Sequence, residues 1–89
     1  MSVTLDVQIV NPLGLHARPA AQLVKLASQY QSEVTLARDG MPVNAKSIMG
    51  VMMLSAEQGA TVSIAAHGPD ADAAVAAIAG LVAAGFGEM

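Results

Sequence analysis

The tightest constraint on this chain is how its hydrophobic period changes along its length. Val3, Leu5, Val7 and Ile9 alternate with Thr4, Asp6 and Gln8, which marks a strand with one buried and one wet face. Residues 33–37 (EVTLA), 41–44 (MPVN) and 61–66 (TVSIAA) are three further short strands. Asp39-Gly40 suits a tight type I′ hairpin, whose two central residues need positive φ. Pro42 cannot donate to a ladder, so its strand is expected at a sheet edge. The period switches to three and four residues over 17–28, where Ala20, Leu23, Val24 and Ala27 form one apolar stripe. Residues 47–54 form a short helix that is apolar nearly all round. Residues 72–84 form a third helix, with Val75, Ile78 and Val82 on one face, Asp70 as its N-cap and Gly85 as its stop. The order β-α-β-β-α-β-α predicts one α+β domain over residues 1–89. It is an open-faced β-sandwich, with a four-stranded antiparallel sheet carrying three helices on one face.

Composition excludes several functions. With 4 Lys and Arg against 7 Asp and Glu, the net charge is −3, a poor balance for nucleic acid or an anionic membrane. There is no Cys, hence no thiolate chemistry, and two His are too few for a protein zinc site, so no metal is expected. No apolar stretch approaches the ~18–20 residues of a membrane helix, and the start lacks the pattern of a signal peptide. A cytoplasmic protein without membrane insertion is the expectation. Eighteen alanines leave few large anchors, so close packing of small side chains must build the core.

The segment Gly14-Leu15-His16-Ala17-Arg18-Pro19-Ala20-Ala21 carries the chemistry. His16 stands at the N-cap of the first helix, and Pro19 is tolerated in a first turn that needs no intrahelical N–H. The free amides of Ala17 and Arg18 and the helix dipole favour an anion there, and the Arg18 guanidinium adds a charge-assisted contact. The arrangement suits a phosphate held beside an imidazole that can act as nucleophile. The blander reading is a capping or surface His. GLHARPAAQLV resembles the phosphorylation-site signature of HPr, the histidine phosphocarrier family of the phosphoenolpyruvate-dependent sugar phosphotransferase system.

The resemblance implies that His16 is the phospho-acceptor, modified on Nδ1 by enzyme I and discharged to enzyme IIA domains. It implies that Arg18 lies near the transferred group, that Pro19 shapes the helix start, and that no cofactor is needed. Such a chain is a carrier rather than a stand-alone enzyme, and is expected to act as a monomer.

Ser47 reads as the N-cap of the short helix, where a phosphate is structurally tolerated. NAKSIMGVMML resembles the family's regulatory serine segment, the target of HPr kinase/phosphorylase, with Ser47 at the matching position. Ile48, Met49 and Met52 cannot all be buried by so short a helix, and flexible Met side chains suit an adaptable docking surface flanked by Lys46 and Arg18. The resemblance makes enzyme I and enzyme IIA the partners of that surface. A nitrogen-branch HPr paralogue in a regulatory phosphorelay is the alternative, compatible with the Gly85–Glu88 tail. A regulatory module working through Ser47 alone leaves His16 unexplained. A hydrolase with His16 as base needs a pocket and a second polar group, neither of which the sequence offers. His67 reads as a surface residue, Tyr30 and Phe86 as packing near helix ends, and Asp70 and Asp72 as helix-start carboxylates.

Overall fold

The alternating segments pair into one sheet because each has an apolar face to bury and a backbone to satisfy. The computed structural model describes residues 1–89. It contains β1 (Ser2–Gln8), α1 (Ala17–Ala27), β2 (Glu33–Arg38), β3 (Met41–Asn44), α2 (Ile48–Met53), β4 (Thr61–His67) and α3 (Ala71–Ala83), then a 3-10 turn, Gly85–Gly87. The four strands run antiparallel in the order β1-β4-β2-β3. Element bounds differ from the periodic reading by at most one residue at each end, as frayed ends do. Asp39 and Gly40 both have positive φ, 52° and 77°, and β3 with its Pro42 lies at the edge.

The register lines Val34, Leu36, Val62, Ile64 and Ala66 along the face that the three helices cover, and all five are buried. The helices complete the core with Ala20, Leu23 and Ala27 from α1, Val51 from α2, and Ala74, Val75, Ile78 and Val82 from α3. Alternate β4 residues face the uncovered side, where the Ser63 hydroxyl donates to Asp6. Two expectations need correction. Leu5 sits opposite Ile64 on the covered face yet is 45% exposed, because β1 is the other edge strand and has no outer neighbour. Asp70 occupies the N-cap position of α3 but makes no side-chain bond to that helix. Its carboxylate instead accepts from the Gln31 and Ser32 amides, both at 2.9 Å, and from the Ser32 hydroxyl. The Ser32 hydroxyl and the Gln31 amide hold the Asp70 carboxyl below its ordinary value against the opposing effect of burial. The link pins the α1–β2 loop to the start of α3.

Candidate functional site

His16 is placed by the loop that leaves β1. Gly14 takes φ +67°, a conformation that costs an L side chain but not glycine. The Gly14 carbonyl accepts from the His16 amide at 2.9 Å and from Asn11 Nδ2 at 2.8 Å. The Leu15 amide donates to the Ala56 carbonyl at 2.8 Å, which ties this loop to the one after α2. His16 is the N-cap of α1 in extended backbone (φ −77°, ψ −173°), and its carbonyl accepts from Ala20. Its side chain makes no capping bond and is 37% exposed. The imidazole is therefore reachable from solvent.

The structure keeps the expected neighbours together. Pro19 is buried at the first turn and Arg18 is exposed, its guanidinium engaged by no other residue. The amides of Ala17 and Arg18 have no partner within the chain, so two first-turn donors remain open beside the ring. None of the three surface clefts is lined by His16, so the site is an open surface rather than a pocket.

One element of the site escaped the sequence reading. Glu88 Oε2 lies 2.7 Å from His16 Nε2, and its other oxygen accepts from Asn11 Nδ2 at 2.9 Å. The second polar group that seemed lacking beside His16 is thus present, supplied from the far end of the chain. Burial on its own would raise the Glu88 carboxyl, but hydrogen bonds from Asn11 and His16, with the positive charge of Arg18, outweigh it and hold the group below its ordinary value. Asn11 is fully buried, and its Oδ1 has no partner. The only signal in the sequence is Gly85-Phe86-Gly87, a residue run suited to reversing the chain after a helix.

Around Ser47 the cap geometry is as expected: the hydroxyl accepts from the Gly50 amide at 3.1 Å. Ile48, Met49 and Met52 are exposed, Met49 at 78%, while Val51 and Leu54 turn inward. Met53 and Leu13 are exposed as well, two apolar groups outside the expected set. Lys46 does not project freely; its Nζ donates to the Tyr30 carbonyl at 2.8 Å. His67 lies at the exposed end of β4, its Nδ1 2.7 Å from the Ser2 hydroxyl. No helix is long and apolar enough to cross a membrane.

Comparison with known proteins agrees with this geometry. The family model for the phosphorylation site of the PTS HPr component matches residues 3–84. The phosphocarrier protein HPr of Cupriavidus necator is 51% identical over 83 residues, covering 93% of each chain. That of Treponema pallidum is 47% identical over 76 residues, covering 85% of this chain and 86% of its own. The crystal structure of HPr-C-His from Thermoanaerobacter tengcongensis superposes with a TM-score of 0.94 at 42% identity, covering 98% of each chain. A match of this extent in sequence and topology means that the chain belongs to the HPr family, the phosphocarrier proteins of the phosphotransferase system.

Proposed function

We propose that this protein relays a phosphoryl group, taking it from phosphorylated enzyme I onto His16 and passing it to enzyme IIA domains. The observation that carries the reading is a solvent-reachable imidazole at a helix start, with two unpartnered amides and the Arg18 guanidinium beside it. The Nδ1 lone pair attacks phosphorus, the bond to the donor's atom breaks, and its electron pair stays with the donor. Donation runs the same path in reverse. The Ala17 and Arg18 amides and the guanidinium meet the charge on the transferred oxygens, so the work is positioning and electrostatics. No cofactor takes part, and the chain acts as a cytoplasmic monomer. Incubation with enzyme I and phosphoenolpyruvate is expected to give one acid-labile, base-stable phosphate per chain. A chain that stays unlabelled, or carries an acid-stable phosphate, overturns the reading. Relative rates with sugar-type and nitrogen-type enzyme I assign the branch.

Lys46, Ile48, Met49 and Met52 form the docking surface for both partners, with Ser47 as its regulatory position. A phosphate on Ser47 brings about −1.5 to −2 charges to an apolar contact with acidic partners. Ser47→Asp is a fair mimic of its charge, because Asp also caps helices and the domain stays folded. Transfer from enzyme I is expected to slow by roughly tenfold or more, since like-charge juxtaposition costs more than the ~1.4 kcal/mol that a factor of ten represents. Stopped-flow or quench kinetics with an unchanged rate would remove Ser47 from the interface.

A further inference from the structure

We infer that Glu88 is a positioning residue for phosphoryl transfer, which fixes the His16 ring with its hydrogen on Nε2 and leaves the Nδ1 lone pair for phosphorus. The inference rests on His16 being the phospho-acceptor, and it concerns a residue outside the 3–84 stretch that the family model matches.

The geometry has three parts. The Glu88 carboxylate is an acceptor only, so at 2.7 Å from Nε2 the hydrogen between them belongs to the ring. A neutral imidazole has one N–H, and placing it on Nε2 leaves Nδ1 unprotonated. His16 Nδ1 makes no hydrogen bond within the chain, so nothing competes for that lone pair.

The second part is the grip on the carboxylate. Asn11 Nδ2 reaches both Glu88 Oε1 at 2.9 Å and the Gly14 carbonyl at 2.8 Å, which uses both of its hydrogens. One buried amide thus joins the carboxylate to the loop that carries His16. The third part is the anchor behind Glu88. Gly85, Phe86 and Gly87 all take positive φ, 63°, 56° and 74°, and turn the chain back after α3. For Phe86 this conformation is strained, and it is held because the ring is buried in the core. The turn is closed by the Glu88 amide donating to the Gly85 carbonyl at 2.9 Å.

The consequence follows through the reaction. As the N–P bond forms, positive charge develops on the ring while Nε2 keeps its hydrogen. The Glu88 carboxylate, already bonded there, meets that charge without moving. When the phosphoryl group leaves, the pair of the N–P bond returns to Nδ1 and the ring is again neutral with its hydrogen on Nε2.

Glu88→Gln tests this in two ways. Nitrogen-15 shifts of the His16 ring in the isolated protein report which nitrogen bears the hydrogen, and rapid-quench kinetics with phosphorylated enzyme I report the acceptance rate. The variant is expected to lose the Nε2–H preference and to accept phosphate more slowly, by roughly tenfold or more, because a charge-assisted hydrogen bond to the ring is replaced by a weaker neutral one. It still reaches one phosphate per chain, with its melting midpoint unchanged. Deletion of Glu88 and Met89, which spares Phe86, is expected to reproduce both effects. Wild-type ring shifts in both variants, or an unchanged rate, overturn the role of Glu88. The ring shifts need no phosphoryl donor. A wild-type chain that takes no phosphate on His16 while Glu88→Gln still moves the hydrogen therefore overturns the carrier reading and leaves the Glu88–His16 coupling standing.

Discussion

His16→Ala is expected to abolish phosphate acceptance from enzyme I, taking the label from one per chain to none. The substitution isolates chemistry from folding. The side chain is 37% exposed and makes no capping bond, so its removal leaves the core and α1 intact. What it deletes is the only imidazole at the open amides of Ala17 and Arg18. There is no Cys to substitute, and the other His cannot. His67 lies on the uncovered face of the sheet, bonded to the Ser2 hydroxyl and far in the fold from the start of α1. His67→Ala is therefore the matched control and keeps full labelling. Autoradiography of both variants, with circular dichroism to verify their folds, makes the comparison. A persisting label in His16→Ala would place the acceptor elsewhere.

Gly14→Ala is expected to cost about 2–5 kcal/mol of stability and to displace the His16 loop. Two effects combine. Alanine at φ +67° costs roughly 1–2 kcal/mol in backbone strain. Its Cβ would also collide with the Ala56 carbonyl oxygen and come within 2.9 Å of the Glu57 Cα, both rigid backbone. Relieving an overpacked contact of that kind costs roughly 1–3 kcal/mol more. The loops part where Leu15 donates to Ala56, and the His16 amide moves with the Gly14 carbonyl it bonds. For a domain of this size each kcal/mol lowers the melting midpoint by about 4–8 °C. Gly40→Ala separates the two effects, because Gly40 has a similar φ of +77° but open space around it. Thermal melts should rank wild type above Gly40→Ala, and Gly40→Ala above Gly14→Ala. Equal midpoints for the two variants would mean that the close approach to Ala56 carries no strain. Slower phosphate acceptance by Gly14→Ala alone is the expected functional counterpart.

The features legible in the chain are those written in short-range physics. Alternation of period two and stripes of period 3.6 depend on neighbours a few residues apart, and they predicted all seven regular elements. Pro42 announced its edge strand through its missing N–H, and Asp39-Gly40 announced its turn through positive φ. The same locality exposed the GLHARP segment, since a helix start, its open amides and its first side chains are contiguous. Leu5 shows where the reading stopped: alternation gives a face, but only strand order shows that β1 has no outer neighbour to cover it. Asp70 looked like a cap from its own sequence, yet its carboxylate was claimed by Gln31 and Ser32 across the fold.

Glu88 is the sharpest case. Seventy-two residues separate it from His16, and no periodicity or motif spans that interval. The contact exists because α3 packs across the sheet, the Phe86 ring enters the core, and a left-handed turn aims the tail back at the first loop. Sequence alone determined the elements and the candidate histidine at the start of α1, because local geometry requires little more than adjacent residues. Tertiary structure alone decided which acid meets that histidine, because long-range partners are selected by packing of the whole chain.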